Sequence, residues 1–591
     1  MKQITTLVLT FLCFTCLCVA QHPALDYLNV LEADLNDFSP STYLNTNDSD
    51  IDSQGNLIIV GDFNGTIDMD PSSGVFLLTA QPSPPPGDNP LIHRNTFIAK
   101  YSSDGDLVWA YKLGDDSNYV ITSQLKVDAN DNIIIAGGYK YSVDFDLWDS
   151  QHILNSPNSG RTFVASYKPD GEFRWVNQIF PATSSSASAS DLELKSNGNI
   201  VLAGTFNGNI VFPNNFNFIT LNNTGAPNSY LAELNSTGTW ITARHVADPN
   251  FFRIESIVVD SNDNIICSIR ETALGAPLLY SYTIRKYFSS QLAYQDIIVL
   301  VPENFNTGFS VTDIAIDGQD NLYLGGFNKV NVSVNGSIFL APSTPSLLDG
   351  FLFKMDDQNT VLWKKSFTPE PTPGLIPYYL IRDVEVDNSN RIILAATLKG
   401  KYDLGNGVTA AANNIFQFNT NVTKFNQSGD AIWTDELEGN TNTTSVSVAS
   451  LHIVGDQFYL YGELAAFTDF DFHPFISTNT SPAYGEPDVY MVRYDDVIID
   501  TIKSLSKSTQ DFEVYPTIVK DRFTVKAPSD TTGPITVEII DLNGNVKATF
   551  NAQHKDLKRE FYPKGLKTGI YVLKISDYMG NILKKVKLIK E

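Results

Sequence analysis

Val127-Asp128-Ala129-Asn130-Asp131-Asn132-Ile133-Ile134-Ile135-Ala136-Gly137-Gly138 is the stretch whose reading decides the fold. An apolar strand ends in a carboxylate, a polar turn follows, and a second apolar strand ends in glycine, which spells a β-hairpin. The unit recurs. Aligning the turn Asn gives Asn56, Asn132, Asn199, Asn264, Asn321 and Asn390, with Gln457 in the same place in a seventh copy. Neighbouring copies lie 76, 67, 65, 57, 69 and 67 residues apart, long for a solenoid repeat and above a propeller blade with short loops. Longer loops account for the excess.

Within a copy the order is constant. Leu57-Ile58-Ile59-Val60-Gly61, Ile200-Val201-Leu202-Ala203-Gly204 and Leu322-Tyr323-Leu324-Gly325 are continuous apolar runs, as expected of strands covered on both faces. After a variable loop comes a second hairpin, Phe97 to Tyr101, then a turn, then a strand with Trp109; the pattern returns with Trp175, Trp240, Trp363 and Trp433. Five of the six tryptophans thus hold one repeat position, which is what packing between neighbouring sheets requires. Four strands in each of seven copies predict an all-β chain, a seven-bladed β-propeller over residues 21–498 followed by a small C-terminal β-sandwich. The seventh copy, ending at Asp488 to Tyr494, lacks its Trp-bearing strand. An open edge invites aggregation, so the N-terminal segment between about Tyr27 and Leu44 is expected to fill the gap and close the ring.

These copies resemble the SBBP β-propeller repeats of exported bacterial proteins, the match being Asp52-Ser53-Gln54-Gly55-Asn56-Leu57-Ile58-Ile59-Val60-Gly61 and its equivalents over roughly residues 50 to 496. The fourth copy departs, with Cys267-Ser268 where Ala-Gly is expected and Tyr294 in place of Trp. A Ser/Thr/Lys-rich linker, residues 499–510, leads to a last segment, 511–591, with strand periodicity. Val514-Tyr515-Pro516, Asp541-Leu542-Asn543-Gly544, Leu566-Lys567-Thr568-Gly569-Ile570-Tyr571 and the terminal Lys584-Lys585-Val586-Lys587-Leu588-Ile589-Lys590 resemble the type A C-terminal sorting domain of the type IX secretion system of Bacteroidetes. The resemblance implies an export address and the type IX machinery as partner of residues 511–591.

Composition and charge agree with an exported protein. The net charge of -25 and pI of about 4.6 argue against nucleic acid or an anionic membrane as partner. From Thr501 onward the balance reverses, with 16 Lys+Arg against 10 Asp+Glu, so the chain carries two modules of opposite sign. Met1 to Ala20 has Lys2, an apolar run from Leu7 to Cys18 and small residues before Gln21, the form of a cleaved signal peptide over residues 1–20. Cleavage removes Cys13, Cys16 and Cys18 and leaves Cys267 with no partner for an intramolecular disulfide. No other stretch is long and apolar enough to span a membrane, so the mature chain is expected outside the cell, secreted or surface-held.

The sequence offers little chemistry. Asp68-Met69-Asp70, Asp144-Phe145-Asp146 and Asp469-Phe470-Asp471 each begin seven residues after the hairpin Gly. Alternate residues on a strand share a face, so each pair can present two oxygens to a hard cation such as Ca²⁺; the competing reading is a solvated strand edge. The seven histidines show no close pair at metal spacing, and none sits beside a nucleophile motif. Two functions stand against each other. One is a scaffold binding an extracellular glycan, peptide or protein through loops such as Thr79 to Arg94 and Pro369 to Leu380. The other is a hydrolase or lyase acting on polysaccharide or peptide, with carboxylates gathered from several blades in the central channel. Close acidic and aromatic side chains in the channel would favour the enzyme; small apolar ones would favour binding.

Overall fold

The computed structural model describes residues 24–31, 43–80, 95–464, 468–469, 488–495 and 513–590, each long span apart from short connecting segments. Every regular element among them is a strand, and no helix among them is long and apolar enough to cross a membrane. The chain divides into two compact units, one spanning His22–Asp496 and one whose described residues are 513–590. The signal-peptide region and the linker lie outside the described residues.

The larger unit is a propeller-like β-fold. Its pairings sort into seven antiparallel four-stranded meanders among the described residues. The first meander consists of Tyr43–Ile51, Leu57–Asp68, Asn95–Tyr101 and Leu107–Leu113. The later ones start at Tyr119–Val127, Ser186–Leu194, Phe251–Val259, Phe309–Ile316, Tyr378–Val386 and Val446–Val454. These seven first strands touch one another in cyclic order, the last returning to the first. In the seventh meander the fourth strand is Ala24–Leu31, running antiparallel to Asp488–Asp495 from Ala24↔Asp495 to Leu31↔Val489.

Apolar side chains are buried between meanders rather than within one. One cluster joins Ile58, Val60 and Ile98 of the first meander to Leu125, Ile133 and Ile135 of the second. Another joins Tyr461, Val489 and Met491 of the seventh, with Leu31, to Leu57, Ile59 and Phe97 of the first. Five more fill the remaining seams. Two-sided burial explains why the second strands read as unbroken apolar runs.

The repeated carboxylate is a turn cap. Asp128 Oδ1 accepts the amides of Asn130 (2.8 Å) and Asn132 (2.9 Å), and Oδ2 accepts Asn132 Nδ2 at 2.8 Å. Asp131 holds the left-handed turn position at φ 61°, and its carboxylate receives the Ser53 amide and hydroxyl from the previous meander, both at 2.8 Å. Ser196 with Asp263 and Ser261 with Asp320 repeat this clasp. The tryptophans also reach across seams. Trp109, Trp175 and Trp363 donate Nε1 to the carbonyls of Pro169, Ser236 and Gln427, in turns of the following meander. A Cβ at Gly238 would lie 2.4 Å from the Trp175 ring, so the close approach needs glycine.

The smaller unit packs a three-stranded sheet (Glu513–Tyr515, Phe523–Lys526, Lys558–Phe561) against a five-stranded one, whose members include Ile535–Ile540, Gly569–Asp577 and Ile582–Lys590. Val525, Val537, Leu573 and Leu588 share its core. Alternation along Ile535–Ile540, buried at odd positions only, is the signature of a strand with one face on that core.

Candidate functional site

Every first strand of the larger unit carries a β-bulge at the same place. Its register slips between Thr46 and Asp48, and likewise before Gln124, Asp191, Ser256, Asp313, Asp383 and Ser450. An extra residue re-aims the side chains that follow it. The consequence is a cavity of about 320 Å³ lined by the first strands, which contribute the carboxylates Asp48, Asp191, Glu193, Asp313, Asp383 and Glu385 together with Lys126 and His452. Among the described residues no aromatic side chain other than His452 lines it.

Most of these carboxylates are already engaged by the neighbouring strand. Asp48 Oδ2 accepts the Leu125 amide at 2.6 Å, Asp191 Oδ2 that of Ile257 at 2.6 Å, Asp313 Oδ2 that of Val384 at 2.9 Å and Asp383 Oδ2 that of Leu451 at 2.8 Å. Two residues further on, Asp50 accepts the Val127 amide at 2.7 Å, and Lys126 pairs with Glu193 at 2.6 Å. One register position thus supplies the same lock at four seams.

Burial makes four of these acids, Asp48, Asp191, Asp313 and Asp383, weak. Burial lifts the Asp48 carboxyl to about 6, against the pull of Lys126 and of amide donors. Burial and Glu193 lift Asp191 to about 7, and burial and Glu385 lift Asp383 to about 7. Asp313 is raised well above the carboxylate range by burial and by Asp383. Burial works to lower His452, but Glu385, Asp50 and Asp383 outweigh it and hold the imidazole up at about 9. Lys126 is kept charged against burial by Glu193, Asp50 and Asp191.

The seam between the last meander and the first differs from the rest. After each bulge the second residue is apolar in six strands, Leu125, Leu192, Ile257, Ile314, Val384 and Leu451, and is Ser49 in the first. Ser49 Oγ lies 2.8 Å from His452 Nε2, and Ser450 Oγ lies 2.9 Å from the same nitrogen. On the other side of the ring, His452 Nδ1 is 3.7 Å from Glu385 Oε1.

Of the aspartate pairs singled out by spacing, Asp68/Asp70 and Asp144/Asp146 lie elsewhere, at hairpin turns. Asp68 Oδ1 accepts the amides of Asp70 (3.0 Å) and Phe76 (2.8 Å), and Asp70 Oδ1 that of Ser72 at 2.9 Å. Asp144 and Asp146 repeat this arrangement toward Asp146, His152 and Trp148. Among the described residues no group of three or more His, Cys, Asp or Glu gathers at metal-holding distance. Asp469 is described only as the end of strand Thr468–Asp469, and Asp471 lies outside the described residues. Cys267 is buried, and burial pushes its thiol up, away from the reactive thiolate.

Comparison with known proteins assigns the smaller unit. Residues 513–590 match the secretion system C-terminal sorting domain. This segment is a type IX secretion sorting domain, and the chain is exported to the cell surface or secreted. An uncharacterized WD repeat-containing protein of Acanthamoeba polyphaga mimivirus is 22% identical over 441 residues, covering 68% of this chain and 29% of that protein. The chain therefore spans under a third of that relative's length. Solved structures similar to it include PorZ, a surface component of the type IX secretion system of Porphyromonas gingivalis, at 11% identity, with 95% of this chain and 100% of that one covered and a TM-score of 0.15. A polysaccharide lyase, ulvan lyase, bound to an oligosaccharide aligns at 10% identity over 74% of this chain and 92% of its own, with a TM-score of 0.38. A protein of unknown function from Dyadobacter fermentans aligns at 11% identity over 63% of this chain and 93% of its own, with a TM-score of 0.32. At such scores none of the three informs the chemistry of the cavity.

Proposed function

We propose that the protein is an exported scaffold whose larger unit binds a glycan, peptide or protein outside the cell through loops at the ends of the meanders. On this reading residues 21–498 are a seven-bladed propeller closed by its N-terminal strand, and residues 511–591 deliver it through the type IX machinery. The observation that carries the reading is the repetition of the carboxylate lock. Asp48, Asp191, Asp313 and Asp383 hold one register position and serve one purpose, binding the next strand's amide. A framework repeats its parts, whereas a polysaccharide-cleaving acid pair needs two carboxyl groups with separate roles and free oxygens. The loop following Pro369 adds support, since Ile376 there is 75% exposed. The test is to pass the full chain over immobilised glycans and peptides, scoring retention and released products together. Retention without products is expected; turnover of a polysaccharide without retention would overturn the reading.

A further inference from the structure

The strand equivalents of Ser49 are all apolar, so the first strand gives up a core position to place a hydroxyl against His452. That seam joins three meanders in one short path: Ser49 from the first, His452 from the seventh and Glu385 from the sixth. All three line the cavity. A hydroxyl within hydrogen-bond reach of an imidazole, which a carboxylate addresses from its far side, is the arrangement that turns serine into a nucleophile. We propose that Ser49, His452 and Glu385 form an acyl-transfer centre that opens on the channel cavity and hydrolyses small carboxylic esters. This goes beyond the scaffold reading and stands independently of it.

The chemistry closes without a further reactant except water. Ser49 Oγ attacks the ester carbonyl carbon while its proton passes to His452 Nε2. The carbonyl–alkoxide bond then breaks, and His452 returns the proton to the departing alcohol. Water attacks the acyl-serine by the same route, giving up a proton to His452, which delivers it to Ser49 Oγ as the carboxylic acid leaves. Glu385 is a positioning residue: it fixes the imidazole with Nε2 toward Ser49. The separation of 3.7 Å is that of a resting site, since such contacts commonly tighten only around a bound substrate. Ser450 Oγ, 2.9 Å from the same nitrogen, competes for it and is the second hydroxyl to be tested.

The surroundings set substrate and pH. Asp48 and Asp50 from the first strand and Asp383 and Glu385 from the sixth face His452, so an acyl group bearing a carboxylate is repelled while a neutral or cationic one is admitted. The same carboxylates hold the imidazole protonated at neutral pH, which stores the nucleophile inactive until the medium turns alkaline.

The experiment uses the full chain and a fluorophosphonate probe from about pH 6 to about pH 10, with the adduct mapped by peptide mass spectrometry. Labelling of Ser49 is expected, rising about tenfold per unit below the imidazole pKa and levelling off above it. Ser49→Ala and His452→Gln should lose the adduct, and Ser450→Ala should keep it. Glu385→Gln should move the labelling midpoint to lower pH, a shift that a role confined to packing would not produce. Absence of a Ser49 adduct on the folded wild-type chain across that range overturns the proposal even if a variant fails to fold. Equal labelling of His452→Gln overturns it as well.

Discussion

Removing residues 21–42 takes away strand Ala24–Leu31 and leaves the edge of Asp488–Asp495 bare. Seven register pairs join the two strands. At about 0.5–1.5 kcal/mol net per hydrogen bond the ladder contributes roughly 4–10 kcal/mol. Leu31, 1% exposed in the cluster between the last and first meanders, adds about 1.5–3 kcal/mol. A domain has about 5–15 kcal/mol in total, so the loss is of the same size as the whole stability. The truncated chain should therefore show no cooperative thermal transition by near-ultraviolet circular dichroism and calorimetry at the temperature where the parent melts. A synthetic peptide of residues 21–34 added in trans should restore it, because an extended peptide can complete an open sheet edge. If the truncated chain melts with the parent's midpoint and enthalpy, the strand is ornamental and the closure reasoning is wrong.

Four further outcomes are expected. Gly238→Ala sets a Cβ 2.4 Å from Trp175 at φ 81°, whereas Gly336→Ala, at φ 76° with nothing within 4 Å, tests strain alone. Gly336→Ala should cost about 1–2 kcal/mol in urea titration and Gly238→Ala clearly more; equal losses would deny the Trp docking. Above about pH 4 stability should fall as pH rises. Asp48, Asp191 and Asp383 have folded values above their unfolded one, so their contribution is complete below about 4 and is lost through about 6 to 7. His452, raised to about 9, loses its share as pH climbs from about 6.5 through that value. Asp52, Asp260 and Asp317 have the opposite sign: burial would raise them, but Lys and Asn partners and turn amides hold them low, so acid removes their share. A melting temperature that peaks above neutral pH would contradict this balance. Finally, Asp144→Ala should cost about 1–2 kcal/mol as a lost amide cap. Calorimetric titration of the metal-stripped chain with Ca²⁺ should give no heat, and a stoichiometric heat would return the cation to the Asp68/Asp70 and Asp144/Asp146 turns.

The hairpin register was legible because its parts are local: a capping carboxylate such as Asp128, a turn and an apolar strand lie within twelve residues. The tryptophan register was legible for the same reason, although its acceptor, a turn carbonyl such as Pro169 O, lies a meander away. The cavity was not legible. A single inserted residue in each first strand breaks the alternation of period two by which a strand's faces are read. A signal was nonetheless present, since Asp48-x-Asp50, Asp191-x-Glu193 and Asp383-x-Glu385 put charge where an inner strand should be apolar. Ser49 and His452 are 403 positions apart, and only the return of the chain to its first meander brings them together.

The placement of the apolar clusters between meanders has a consequence for cooperativity. In an open solenoid each repeat contacts its neighbours, and the terminal repeats fray or need polar caps. Here each sheet lends one face to each of two clusters, and the last cluster returns to the first sheet. Such a chain is a one-dimensional array with periodic boundaries, without an end from which unfolding can begin. Loss of any one cluster weakens both sheets beside it, so the unit behaves as a single cooperative body although its sequence is modular.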